Sequence, residues 1–380
     1  MQNIIYFDNS ATTKPCKTSI EYTNNCLAEN WGNPSSLHNL GFEAELTLND
    51  ARKEIAAHLK CLPVEIYFTG SGTEANNLAL FGTANALKKR GKRIVSTTIE
   101  HPSVLNSLKV LEEQGFDVVL LKPNSDGFIL TEDIYKAINS DTILVSMMLI
   151  NNETGCIMPV NTIKDAIKKV NSPALVHCDC VQAFGKTDIN PKALGADLIS
   201  ISGHKIHGPK GIGALYKAKN INIKPIIHGG NQEGGLRSGT EPLPMIAGFM
   251  GACKEVDIKN AFEKLSALNI YARQKLSNIK DVTINSPQRN CSPYILNISV
   301  QGIRSETLLH FLESKNIFVS SGSACSKGKG SYVLNEMGLD KNLVDSALRL
   351  SFCKDNTIEE IDIFCEQLEI AIAKLVHKRH

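Results

Sequence analysis

Hydrophobic and polar positions along this chain alternate between two periods. Apolar residues recur at helical spacing over Ser36–Leu59, Thr73–Lys88, Pro102–Gln114, Thr131–Ala137 and Asn161–Lys169, which predicts helices there. Between them lie short, nearly continuous apolar runs at Ile66–Thr69, Arg93–Thr97, Asp117–Leu121, Ile143–Met147, Leu175–Cys178, Leu198–Ile201 and Gly213–Tyr216. Strands that are apolar throughout are covered on both faces. The pattern therefore predicts an α/β fold with a mostly parallel, seven-stranded sheet between two layers of helix. Ligands of such sheets gather at the carboxyl ends of the strands.

From Pro242 a long helical stretch leads toward Asn278. Beyond it the rhythm changes. Strands near Val282–Ile284, Tyr294–Ser299 and Ala347–Ser351 mix with helices at Ser305–Ser314 and Thr357–Leu375. This predicts a large domain over residues 16–256 and a smaller α+β domain made of residues 1–15 and 257–380.

Composition narrows the function classes. The 380 residues carry 41 basic and 39 acidic side chains, a net charge of +2. That balance argues against a broad nucleic-acid surface or a polybasic membrane patch. No apolar run reaches the roughly 18 residues that span a bilayer. The start, "MQNIIYFDNSATTKP", lacks the basic and apolar segments of a signal peptide, so a cytoplasmic protein is expected. The eleven cysteines are scattered, odd in number and without a C-x-x-C, which predicts reduced thiols. "HCDC", His177 to Cys180, looks like a metal cluster. On a strand, however, His177 and Asp179 face one way and Cys178 and Cys180 the other, so no metal site is expected.

Three stretches carry candidate chemistry. In "FTGSGTEANNLAL", Phe68 to Leu80, a strand turns through small residues into a helix. Free N–H groups there, with the Ser71 and Thr73 hydroxyls, suit a phosphate; an ordinary capped helix start would look similar. In "VHCDCVQAFGK", Asp179 ends a buried strand and Gln182 follows three residues on. A buried carboxylate needs a partner. A protonated pyridine nitrogen would serve, as would a helix that Asp179 caps. In "SISGHKIHGPKG", Lys205 stands in the turn between two buried strands. A lysine held there suits Schiff-base chemistry, whereas most lysines in turns are merely solvated.

Their order and spacing are more specific than any one of them. A phosphate-type turn, an aspartate about a hundred residues later and a lysine 26 residues beyond that resemble the pattern of the fold-type I pyridoxal phosphate enzymes. "SGHK" with "GPKGIGALY", "EHPSV", "NNETG" and "RSGTEP" resemble the class V aminotransferase group. "SSGSACS", Ser320 to Ser326, followed by "SYVLNEMGL", resembles the cysteine desulfurases of the NifS/IscS family, as do "YFDNSATT" and "GNPSSLH". The resemblance runs from Tyr6 to the final helix.

The resemblance implies a set of roles. Lys205 would carry pyridoxal 5'-phosphate. Gly72, Thr73, Ser202 and His204 would hold its phosphate, with Thr240 supplied by the partner subunit of a homodimer. Asp179 would pair with the pyridine nitrogen, Gln182 would bond the ring hydroxyl, and His101 would stack on the ring and handle substrate protons. Asn152 and Arg349 would hold the carboxylate of L-cysteine. Cys325 would take the sulfur as a persulfide and leave L-alanine.

Cys325 lies among small residues without apolar periodicity, which is loop composition, and the other ten cysteines read as structural. Lys327 and Lys329 stand two and four residues on, where positive charge would favour the thiolate; a solvated loop would explain them as well. Ser331 follows Cys325 by only six residues and without the Glu-Pro of long-loop members, so the loop is shorter than theirs. The sequence ends at "LEIAIAKLVHKRH", without the extension that long-loop members use to bind an iron–sulfur scaffold. The expected sulfur acceptor is accordingly a protein, either such a scaffold or a tRNA thiolation enzyme. The same scaffold could instead serve a class V aminotransferase for a small amino acid, a selenocysteine lyase, or a sulfur-relay partner with negligible turnover.

Overall fold

A computed structural model describes residues 4–322 and 330–376. Cys325 and its two lysine neighbours lie outside the described residues. The chain opens with a short strand, β1 (Ile5–Tyr6), and two helices, α1 (Lys17–Ala28) and α2 (Asn39–Leu59). Then strand and helix alternate: β2 (Ile66–Thr69), α3 (Gly72–Leu87), β3 (Arg93–Thr97), α4 (Pro102–Glu113), β4 (Asp117–Leu121), α5 (Thr131–Ala137), β5 (Thr142–Met148), α6 (Ile163–Lys169), β6 (Leu175–Asp179), α7 (Pro191–Leu194), β7 (Leu198–Ser202) and β8 (Gly213–Lys217).

These strands form one seven-stranded sheet in the order β2-β8-β7-β6-β5-β3-β4. Strand β8 alone runs against the others. Its link from β7 is too short for the dozen-residue crossover that a parallel neighbour needs, so the chain must turn straight back. That forced reversal holds Lys205. The runs are apolar on both faces because both faces are covered. Ile94, Leu144, Leu198 and Leu215 pack with Ala75 and Leu78 of α3 and with Leu108 of α4. Their strand neighbours Val95, Val145, Ile199 and Ala214 belong to the opposite layer, with α2 and the later helices.

The rest of the chain continues with α8 (Leu243–Lys254), α9 (Ile258–Ser277), β9 (Val282–Ile284), β10 (Ile295–Val300), α10 (Ser305–Glu313), β11 (Ile317–Phe318), α11 (Tyr332–Glu336), α12 (Lys341–Asp345), β12 (Ala347–Ser351) and α13 (Ile358–Val376). Strands β12, β10 and β9 form an antiparallel sheet, and β1 pairs in parallel with β11. Phe7, fully buried after β1, meets Phe352 and Phe364 edge to face at 5.3 and 6.0 Å. The start of the chain is thus held by its end. No helix among the described residues is long and apolar enough to cross a membrane.

Two elements depart from the sequence expectation. Helix α1 gave no apolar signal, because its turns are mostly polar and only Ser19 and Cys26 are buried, yet it packs along α8. The long helix expected after Pro242 is two helices. The chain breaks at Glu255–Asp257, and the Asp257 side chain caps α9 by accepting the Asn260 N–H.

Candidate active site

A cavity of about 290 Å³ opens at the carboxyl ends of β5, β6 and β7. Ten of the twelve residues expected to hold cofactor, substrate or sulfur line it: Gly72, Thr73, His101, Asn152, Asp179, Gln182, Ser202, His204, Lys205 and Arg349. Thr240 is exposed and does not line it, and Cys325 lies outside the described residues.

The α3 N-terminus forms one wall. Ser71 caps it by accepting the Glu74 N–H at 3.1 Å, and the first-turn N–H groups of Gly72 and Thr73 have no acceptor within the helix. Gly72 is required by packing, since a Cβ there would lie 2.8 Å from Val181 Cγ2 and 3.3 Å from Ser202 Cβ. Ser202 ends β7, and its hydroxyl is buried without a partner among the described residues. An anion seated at this helix end would meet N–H groups, the helix dipole and a waiting hydroxyl. His204 follows. Burial, reinforced by Lys205, Lys210 and Lys186, pushes its pKa down to about 4, so at neutral pH it offers an N–H and no charge.

Asp179 ends β6 with only 6% of its surface exposed. It accepts hydrogen bonds from Asn76 Nδ2 at 2.7 Å and from the Val181 N–H at 2.9 Å. Neither donor is charged. The carboxylate can therefore still stabilise a cationic N–H placed in the cavity. Asn76 also donates to Ser103 Oγ at 2.9 Å, which joins Asp179 to the turn of His101.

His101 caps α4. The Ser103 N–H donates to its Nδ1 at 3.1 Å, so Nδ1 carries the lone pair and Nε2 the proton. Burial lowers the imidazole pKa and Lys205 lowers it further, against the opposing pull of Asp179. A neutral ring next to Lys205 can exchange a proton without first losing one.

Lys205 reaches back to the N-terminal segment. Its Nζ donates to Ser10 O at 2.5 Å and Ala11 O at 2.8 Å. Gln182 Nε2 donates to the same Ser10 carbonyl at 2.9 Å. A carbonyl carbon entering the cavity would find this amine held by two backbone carbonyls.

The far wall comes from the second sheet. Arg349, in β12 and 3% exposed, donates from Nη1 to Asn152 O at 3.1 Å and pairs through Nη2 with Asp8 Oδ1 at 2.7 Å. Among the described residues its Nε and Asn152 Oδ1 are buried without partners. This wall can take a carboxylate, although Asp8 already engages part of the guanidinium. Sequence reading missed Asp8, Asn76, Ser103 and Tyr332, all of which bind or line the site. Asn76 had a signal: a polar residue on the buried face of the apolar helix α3. The others carry no local mark.

The "HCDC" stretch has a structural use. His177 is fully buried, and both ring nitrogens are engaged by serine hydroxyls, Ser146 at 2.8 Å and Ser200 at 2.9 Å. Burial pushes its pKa down to about 4.

The donor set fits a phosphorylated pyridine aldehyde. The orphaned Ser202 hydroxyl and the Gly72 cradle would suit its phosphate, Asp179 its ring nitrogen and Lys205 its carbonyl carbon. Comparisons with known proteins agree. The family described as aminotransferase class-V matches residues 5–364. A cysteine desulfurase IscS of Dictyoglomus turgidum is 37% identical over 383 residues, 99% of this chain and 96% of that protein. A solved NifS-like protein superimposes with a TM-score of 0.92 at 38% identity, covering 98% of this chain and 100% of that one. A structure described as SspA in complex with cysteine gives a TM-score of 0.82 at 32% identity, over 93% of this chain and 100% of that one. With its cavity, its lysine turn and these relatives in agreement, the chain belongs to the class-V aminotransferase family and, within it, to the cysteine desulfurases of the NifS/IscS kind.

Proposed function

We propose that this protein uses pyridoxal phosphate to convert L-cysteine to L-alanine and holds the sulfur as a persulfide on Cys325. The observation that carries the reading is the convergence of Lys205, Asp179 and the α3 N-terminus on one cavity. Gly72, Thr73, Ser202 and His204 would hold the phosphate, Asp179 the ring nitrogen and Gln182 the ring hydroxyl, and His101 would stack on the ring. When bound, the cofactor takes up the electron pair released at the substrate Cα.

The chain's own residues do the rest. Asn152 and Arg349 orient the substrate carboxylate, since a guanidinium matches a carboxylate through two parallel bonds. Lys205, once free as an amine, removes the Cα proton, and His101 relays protons at Nε2. The Cys325 thiolate attacks the substrate sulfur. The S–S bond forms as the Cβ–S bond breaks, the electron pair stays with the carbon skeleton, and one proton added at Cβ and one returned to Cα complete alanine.

Several finer readings accompany this one. The functional unit is a cytoplasmic homodimer in which Thr240 reaches the partner's phosphate. Its exposure supports this, as does a run of exposed apolar side chains at Ile20, Leu27, Trp31, Leu37 and Phe42. Residues 16–256 form the cofactor domain, and residues 1–15 with 257–380 form the smaller one, supported by the pairing of β1 with β11. The sulfur passes to an acceptor protein, an iron–sulfur scaffold or a tRNA thiolation enzyme.

Mass spectrometry after incubation with L-cysteine tests the chemistry. One added sulfur on the Cys325 peptide, with alanine formed, is the expected result. Cys325→Ser should still bind L-cysteine, seen as a spectral shift, and then stall without alanine or persulfide. Alanine production at near wild-type rate by that variant would overturn the role of Cys325. Turnover that depends on a keto acid would point to an aminotransferase instead.

A further inference from the structure

Lys186 is a buried lysine that the mechanism above does not use. It lies four residues after Gln182, 7% exposed, and does not line the main cavity. It faces a smaller cavity of about 50 Å³ behind Lys205, shared with Tyr294 and Cys353. The charges that act on it most are two cations, Lys205 and Arg349, along with the Cys353 thiol. Its ammonium group lies 5.6 Å from the centre of the Tyr294 ring. Burial and the two cations push its pKa down to about 7. Burying an amine here is costly, so its one polar side-chain contact matters.

That contact is to the cofactor cavity at one remove. Lys186 Nζ donates to Gln182 Oε1 at 3.1 Å, and Gln182 Nε2 donates to Ser10 O at 2.9 Å. A flipped Gln182 amide would set its NH₂ against the lysine N–H groups and its oxygen against a carbonyl oxygen, losing both bonds. Loss of a proton from Lys186 leaves two N–H donors, so the preference survives. The second Nε2 hydrogen is then the one left for a ligand in the cavity that Gln182 lines.

We infer that Lys186 is a positioning residue: it locks the Gln182 amide with its N–H edge toward the cavity, which makes that edge selective for an acceptor such as the ring oxygen of pyridoxal phosphate. This rests on the cofactor reading above.

Titration of cofactor-free protein with pyridoxal phosphate tests it. Lys186→Met should weaken binding on the order of tenfold, as expected for a lost hydrogen bond to a partly charged partner. It should also shift the visible absorption of the bound cofactor, while Lys186→Arg, which keeps a donor, restores both toward wild type. In combination with Gln182→Ala, Lys186→Met should add no further loss. Affinity within twofold of wild type with an unchanged spectrum would overturn the inference, as would losses that multiply in the double variant. Gln182→Glu tests it with Lys186 intact: an acceptor edge should bind the cofactor more weakly than Gln182→Ala, and wild-type affinity would refute the lock. Failure of the wild-type protein to bind the cofactor would instead sink the functional reading itself.

Discussion

The two walls of the cavity are built in different ways. The phosphate and lysine wall comes mainly from strand ends and helix starts within residues 71–205, where Ser71 and His101 cap helices and Asp179 and Ser202 end strands. The carboxylate wall is a meeting of distant segments. Arg349 of β12 reaches Asp8, 341 residues away, and Asn152. The first wall inherits its rigidity from the sheet. The second depends on the docking of β1 and β12, and its central cation is shared with a carboxylate of its own chain. Preorganisation therefore belongs to the cofactor, and adjustment to the substrate.

The comparison can be broken most sharply at Lys205. Lys205→Ala should fold normally but lose the visible band of bound cofactor that resists dialysis, and turnover should fall by roughly a thousandfold or more. A persistent band would show that another lysine holds the cofactor. On the same wall, Asp179→Ala should weaken cofactor binding and reduce turnover on the order of a hundredfold, because the ring nitrogen loses its anion. Activity within a few-fold of wild type would remove Asp179 from that role.

The far wall should respond in a different parameter. Arg349→Lys keeps the charge but loses the planar fork, so KM for L-cysteine should rise about tenfold, with cofactor affinity unchanged. A change in cofactor affinity with KM intact would mean that the walls are not separable. Asp8→Asn is milder. It weakens the hold on Arg349 Nη2, a buried guanidinium paired with a partly exposed carboxylate, and should alter KM by only a few-fold because the amide oxygen can still accept. Steady-state kinetics on both variants measure this.

The smallest effects concern stability against pH. His177 is held neutral in the fold with a pKa near 4, below the usual 6.5. The unfolded chain binds its proton first, so stability is lost as pH falls from about 6.5 toward 4. Glu100 behaves in the opposite way. Fully buried behind His101, it is raised from 4.5 to about 8, so its contribution is lost as pH rises through that interval. Glu100→Gln should flatten the alkaline limb of the thermal unfolding profile and His177→Asn the acid limb. An unchanged slope in either would remove that residue from the balance.

How much of this was legible in the sequence follows the same division. The seven strands and the lysine turn could be read because continuous apolar runs and Gly–Pro turns are local signals. The order and spacing of Thr73, Asp179 and Lys205 marked them as candidates, but the roles assigned to them came from the family resemblance. Asp8 could not, because nothing near it signals that Arg349 will arrive from the far end of the chain. Arg349 itself came only through resemblance to a family. Helix α1 escaped because it buries little, and the break before α9 escaped because Asp257 acts as a cap only once the chain has turned.

The docking of the N-terminal segment has a consequence for how the protein is made. The Ser10 N–H donates to Ser351 Oγ, and Asp8 waits for Arg349, each across 341 residues. The β7–β8 turn that carries Lys205 closes within a single hairpin. During synthesis the lysine turn can therefore take shape, and meet Ser10 to Thr13, while residues 5–9 still lack their partners in β11 and β12, and the active site is finished only when β12 leaves the ribosome. Nascent chains halted before residue 347 should for that reason lack the Ser351 contact that fixes Ser10, so Lys205 is set in place by two segments made 341 residues apart.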